Sequence, residues 1–261
     1  MFKTGIFHWY GYIESFEERI KSISLANYDY VMLWWEDEIY PNFIDRRNLI
    51  KIVNENGLIL DNVHLPFEET NTLWSDDLSK KNIQTEKIIK CMYEIKNSGA
   101  DTIVMHTVHG NNLKLNFKNG YDSFEKIIKT AEDIKLKVAF ENTQMFEYTD
   151  FLLKELNSDY AGFCYDSSHD FVCGQSYGEI LEKWKHKLFC IHLSDNDSKC
   201  DRHWIPGKGH VNWNKIIKIL KQTNLKSFSM ETYPYEEEKS LKPIEFITKA
   251  RNNLISLIEN N

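Results

Sequence analysis

The chain has 261 residues, of which 42% are apolar, and carries 39 Asp and Glu against 32 Lys and Arg, for a net charge of -7. The apolar share suffices for a sizeable core, while the acidity disfavours a broad phosphate-binding surface of the kind nucleic acids require. No run approaches the ~20 apolar residues of a membrane span, and Met1 to Gly11 shows no secretory leader, so a cytoplasmic protein is expected.

The first β-rich run is Thr4–Tyr10, ending in Phe7-His8-Trp9-Tyr10-Gly11 without a Gly-rich phosphate turn. Tyr28–Trp35 and Leu58–Leu65 follow, then a helical pattern over Ile83–Ile95 in which Ile88, Ile89, Met92 and Ile95 share a face. Thr102–Thr107 is the fourth strand. A helix is predicted over Phe124–Ile134, with Asp122 or Ser123 as its cap. Strands Lys137–Asn142 and Tyr160–Asp166 lead to a helix at Ile180–Trp184. Strand Leu188–Leu193, helix Trp213–Leu220, strand Ser227–Thr232 and helix Ile244–Ile258 complete the chain, with Glu259-Asn260-Asn261 read as a frayed tail. Eight strands alternating with helical segments, with no linker between them, predict one α/β domain over 1–261, a single (β/α)8 TIM barrel.

The five cysteines, Cys91, Cys164, Cys173, Cys190 and Cys200, are odd in number and include no C-x-x-C pair. They read as reduced thiols, with Cys164 and Cys190 packed in strands.

Successive strands end in ligand-type residues: His64, His106, Glu141, Asp166 with His169, His192, and Glu231, with Asp201 and His203 in the loop after the seventh strand. Eight of the nine histidines fall at or just beyond strand ends, and His186 alone lies at a helix end. In such a barrel the C-terminal strand ends form one face, so these side chains would share an active-site pocket there. Three carboxylates and one imidazole, Glu141, Asp166, His192 and Glu231, suit Mn2+, Mg2+ or Co2+ and accept Zn2+. A divalent metal there could polarise a carbonyl and stabilise an enediolate, while two glutamates exchange the proton of the adjacent carbon.

The ordered set His64-Leu-Pro-Phe, His106, Glu141-Asn-Thr, Asp166-Ser-Ser-His169, His192-Leu-Ser-Asp195, Asp201-Arg-His203 with Pro206-Gly-Lys-Gly209, and Glu231-Thr resembles the xylose-isomerase-like barrel superfamily. That group holds sugar phosphate isomerases, epimerases and endonuclease IV. The resemblance implies a metal quartet of Glu141, Asp166, His192 and Glu231, with Glu141 and Glu231 as the acid/base pair. His64, His106, His169, Asp201 and His203 then bind a small sugar or sugar phosphate, and a dehydratase is a near neighbour. His203 occupies a slot that holds arginine in the ketose 3-epimerases, with Arg202 beside it. The alternative is an endonuclease IV-like hydrolase of abasic DNA, in which the same five residues add ligands for a trinuclear zinc site. Such barrels often pair, which leaves a homo-oligomer open.

Acidic loops favour the sugar. Glu68, Glu69, Asp76 and Asp77 follow His64, and Glu36-Asp37-Glu38 follows the second strand. Such carboxylates repel a phosphate backbone. Arg46-Arg47 and Lys80-Lys81 are expected on helix surfaces. Phe7, Trp9, Trp34, Trp35, Phe67 and Trp204 are candidates for an apolar wall, although alternation forbids Trp34 and Trp35 from both facing inward. Gly207-Lys208-Gly209 could hold a phosphate at a helix start, but a tight turn is favoured.

Overall fold

The computed structural model describes residues 2–172 and 177–261; Cys173 lies outside them. Eight parallel strands, β1 (Thr4–Phe7), β2 (Tyr30–Trp34), β3 (Ile59–His64), β4 (Thr102–His106), β5 (Lys137–Glu141), β6 (Ala161–Asp166), β7 (Leu188–His192) and β8 (Phe228–Met230), run in the sheet order β7-β6-β5-β4-β3-β2-β1-β8. The last seam closes through a bridge beyond β7. Leu193 N–H donates to Ser229 O at 2.9 Å, and Glu231 N–H donates to Leu193 O at 3.1 Å. The result is a nearly closed (β/α)8 barrel, as expected from the alternation.

Helices α1 (Phe16–Leu25), α2 (Leu49–Glu55), α3 (Leu78–Asn97), α4 (Phe117–Ile134), α5 (Phe146–Glu155), α6 (Ser167–Val172), α7 (Glu179–Trp184), α8 (Trp213–Leu220) and α9 (Pro243–Asn260) surround it. α9 runs to Asn260, so the expected frayed tail is helical instead. α4 starts seven residues before its predicted start. Asn116 caps it by accepting from Asn119 N–H, and Ser123 is buried inside it, donating to Leu73 O at 2.8 Å. Gly120 misleads a propensity reading here. It is the point where α4 meets Trp74, and a Cβ would fall inside that indole ring.

Two layers of core follow from the period-2 alternation of strands. The larger lies between strands and helices and includes Phe124, Phe140, Phe163 and Trp35. The smaller is inside the barrel: Val104, Ala139, Cys164 and Cys190, with Phe189 packed against them. His106, Glu141, Asp166 and His192 each sit two residues beyond one of these four. The same inward face therefore carries small apolar residues below and ligand-type residues at the mouth. The four cysteines among the described residues are free, with Cys164 and Cys190 buried in β6 and β7.

The long loop after β7 is held by Asp195, which is fully buried. Its carboxylate accepts from Gly207 N–H at 2.9 Å, Val211 N–H at 3.0 Å and Trp213 Nε1–H at 2.7 Å. Gly209 has no room for a Cβ against Asn196 and Asp195. The Gly207-Lys208-Gly209 segment is thus a tight turn in which Gly207 N–H donates to the Asp195 carboxylate and Lys208 N–H to Ile205 O at 3.1 Å, and Lys208 pairs with Glu237 at 3.2 Å.

Candidate active site

The inward faces of β3 to β7, the residues after β8 and the loop after β7 converge at the C-terminal mouth of the barrel. His106 and Glu141 are register partners on β4 and β5, and Asp166 and His192 are partners on β6 and β7. Glu141 is the hub. One carboxylate oxygen lies 2.9 Å from His64 Nε2 and 3.2 Å from His106 Nε2. The other lies 3.2 Å from His192 Nδ1 and 3.5 Å from His169 Nδ1. Asp201 is a second hub, 3.2 Å from His169 Nε2 and 3.0 Å from His203 Nε2. Glu231 stands 3.5 Å from His192 Nδ1 and 3.9 Å from His203 Nδ1. All nine residues singled out in the sequence come together in this network.

Its electrostatics follow from burial and contact. Burial would raise the Glu141 carboxyl, but the facing His192 and His106 imidazoles hold it well below the usual range. Burial also opposes charge on His192, yet Glu141 and Glu231 together push it up to about 10. His203 is likewise raised to about 9, against burial, by Glu231 and Asp201. Burial dominates for His106, lowered to about 4, and for Asp166, raised to about 6. The network thus arranges acids and imidazoles as mutual counter-charges.

The donor set fits a divalent ion. Three groups have ligand atoms mutually within 4.8 Å: His64, Glu141 and His192; Glu141, Asp166 and His169; and Asp166, His192 and Glu231. Asp166 Oδ2 and His192 Nε2 are buried without a hydrogen-bond partner. Leaving a carboxylate oxygen unpaired in the interior is costly, and coordination to a cation would satisfy it. Asp166 is also oriented from behind: Asn142 Oδ1 accepts from Asp166 N–H and Asn142 Nδ2 donates to Asp166 O, both at 2.8 Å.

The cavity above this cluster is about 700 Å³ and is also lined by Phe7, Trp9, Trp34 and Phe67. Trp34 stacks on His64, with ring centres 5.1 Å apart, and Phe67 on His106 at 4.3 Å. Two expected wall residues are elsewhere. Trp35 points outward into the core, as alternation requires, and Trp204 packs on Tyr235. Arg202 turns away to Asp197 at 3.1 Å and does not line the cavity. His109, just after β4, and His210, just before α8 rather than at a strand end, do not line the cavity. Arg46 pairs with Glu94, Arg47 with Asp45, Lys80 with Asp77 and Lys81 with Asp122. These basic residues are neutralised outside the mouth.

Sequence reading missed Arg19, Glu38 and Tyr233, which also line the cavity. A signal for Arg19 was present. Ser15-x-x-Glu18 forms a capping box at the start of α1, which places Arg19 on the buried stripe with Phe16, Ile20 and Ile23. An arginine on an apolar stripe needs a buried partner.

The family described as Xylose isomerase-like TIM barrel matches residues 20–250, and the chain belongs to it. A D-tagatose 3-epimerase-like protein has the same fold, with a TM-score of 0.78 and 20% identity over 98% of this chain and 97% of that one. The chain is similar to a probable endonuclease 4 of Mycoplasmopsis synoviae (strain 53), 30% identical over 115 residues, 38% of this chain and 41% of that one. It is also similar to an inosose dehydratase of Clostridium botulinum (strain Alaska E43 / Type E3), 23% identical over 153 residues, 50% and 51% of the two. The chain spans about half the length of the curated relatives it matches. Among the described residues, no helix is long and apolar enough to cross a membrane.

Proposed function

We propose that this barrel is a divalent-metal-dependent isomerase or epimerase of a keto-sugar or polyol-derived compound, working by proton transfer through an enediolate. The observation that carries the reading is a pair of three-ligand groups at the mouth that share Asp166, one with Glu141 and His169 and one with His192 and Glu231, with Asp166 Oδ2 left unpaired in the interior. Glu141, Asp166, His192 and Glu231 would hold the ion: Mn2+, Mg2+ or Co2+ by their oxygen-rich character, or Zn2+. When bound, the metal supplies Lewis acidity to a carbonyl. Glu141 and Glu231 come from β5 and from just beyond β8, on different sides of the mouth, and so can address two faces of one carbon. Glu141 takes or returns the proton on one face and Glu231 on the other. His64, His106, His169, Asp201 and His203 hold the hydroxyls, and Trp34 and Phe67 cover the C–H face. A dehydratase would share the first proton abstraction.

The test is metal content by elemental mass spectrometry on protein prepared without chelator, followed by deuterium wash-in from D2O across a ketose and aldose panel. About one metal per chain and exchange at the carbon beside the carbonyl are expected. A metal-loaded protein that exchanges no proton of any sugar would sink the reading.

A second reading has its own support. His64 and His106 both face one oxygen of Glu141, and Asp201 bridges His169 and His203, so the five residues outside the quartet also crowd against carboxylates. Such a site suits three zinc ions and a phosphodiester, as in an endonuclease IV-like enzyme of abasic DNA. The cavity rim argues the other way, because Glu14, Glu36, Asp37 and Glu38 all line it and would repel a phosphate backbone. Close to three zinc per chain, with cleavage of an abasic duplex, would overturn the first reading.

Metal uptake should depend steeply on pH, because imidazole ligands bind metal only when neutral. In the metal-free protein His192 and His203 are raised above their unfolded values. Their contribution to stability is therefore full below about pH 6.5 and fades as the pH climbs through about 9 to 10. At His192, the imidazole of the proposed quartet, protons compete with the ion up to about pH 10. Asp166, raised to about 6, surrenders its charge below that pH. The rise in Tm on adding Mn2+ is expected to be larger at pH 8.5 than at pH 6, as thermal melts with and without metal would read. A larger shift at the acid pH would contradict this.

A further inference from the structure

The cavity is larger than a single sugar needs. A hexose fills roughly 200 Å³ on a scale where one water takes ~30 Å³, against the cavity's 700 Å³ or so. Beyond the acidic and imidazole cluster, the wall continues to the end of β1 and the loop after β2, where His8, Trp9, Arg19, Glu38, Ile39 and Tyr40 line it.

The polar groups of that arm are buried and incompletely paired. His8 is 4% exposed, and neither ring nitrogen has a hydrogen-bond partner. Its nearest acid, Glu38, stands 3.7 Å away, too far for a hydrogen bond. Burial holds His8 well below its usual value, so the ring is neutral, with one donor and one acceptor. Arg19 is 1% exposed; it pairs with Glu38 at 2.6 Å but leaves Nε–H without a partner. Trp9 stands over the guanidinium with its ring centre 5.0 Å away, and is 37% exposed. Buried donors and acceptors in a cavity wall cost stability until a partner meets them. A ring with hydroxyls on its edge and C–H bonds on its face matches imidazole, guanidinium and carboxylate beside an indole. A phosphate does not match, since Glu38 already neutralises Arg19 and Glu14, Glu36 and Asp37 lie nearby.

We infer that His8, Trp9, Arg19 and Glu38 form a second subsite for a hydroxylated ring, so that the substrate is a keto-sugar carrying a glycosyl unit. This inference rests on the sugar reading above. The site's chemistry then belongs at the reducing-end ketose, with the second ring as the handle that positions it.

The test compares fructose with turanose, maltulose and isomaltulose, which keep the ketose ring and add a glucosyl unit at different oxygens. Binding to the manganese-loaded protein is followed by titration calorimetry. At least one disaccharide is expected to bind tenfold or more tighter than fructose. His8→Phe should cancel that gain while leaving fructose affinity within about twofold, and Trp9→Ala, at a partly exposed position, should do the same without endangering the fold. Equal affinity for fructose and all three disaccharides would overturn the subsite and leave the sugar reading standing. So would a gain that survives both substitutions. If neither fructose nor any of the disaccharides binds, the subsite as stated fails, while the sugar reading is decided separately by deuterium wash-in across the ketose and aldose panel.

Discussion

Glu141→Gln is expected to lower turnover about a thousandfold or more and to strip the metal from the site, with little change in fold. The side chain is nearly isosteric, but it loses the charge that helps raise His192 and His169. His64, His106, His192 and His169 all lie between 2.9 and 3.5 Å from its oxygens. An amide nitrogen placed there would face ring nitrogens at two of those contacts. The raised values of His192 and His169 rest partly on this carboxylate, so their protons should leave more readily in the variant. Two readouts check it: metal per chain by elemental mass spectrometry, and deuterium wash-in with a turned-over sugar. A variant that keeps its metal and most of its rate would remove Glu141 from both proposed roles.

Glu231→Gln should separate the two roles. Its side chain is 17% exposed, the most accessible of the proposed quartet, and its neighbours are fewer: His192 at 3.5 Å, His203 at 3.9 Å and the Tyr233 hydroxyl, which donates to it at 3.4 Å. Glu141, Asp166 and His192 would still hold an ion. The expected result is a loss of roughly 10²–10⁴-fold in kcat, with most of the metal retained and KM changed far less. His64→Ala, by contrast, should be milder, since the sugar reading gives it a hydroxyl rather than a proton to hold. Equal and total loss at His64, His106 and Asp201 would instead favour three metals.

Much of this was legible in the chain. β-rich runs of suitable length marked all eight strands, and helical spacing marked α3, α7, α8 and α9. Alternation also settled that Trp34 and Trp35 face opposite ways. α1 and α2 were harder, being short and partly polar, and α4 was read late because Gly120 and Asp122 look like punctuation. What stabilises that first turn is contact with Trp74, some 46 residues earlier, which no local window contains. The polar arm of the cavity was missed for the same reason. Arg19 sits on α1 and Glu38 after β2, and neither is informative until the loops meet.

The sequence by itself determined which side chains reach the mouth, because a two-residue period and parallel order place every strand's last inward residue on one face. It also determined the donor types, and so the class of ion they suit. Tertiary structure alone decided how those donors are shared: that Glu141 serves four imidazoles, that Asp201 bridges two, and that Asp195 is consumed in holding a turn. Distances across the mouth depend on strand tilt, register shifts such as those between β2 and β3 and between β6 and β7, and the closing bridge at Leu193 and Met230. Those arise from packing between segments far apart in the chain, and a local pattern carries no information about them.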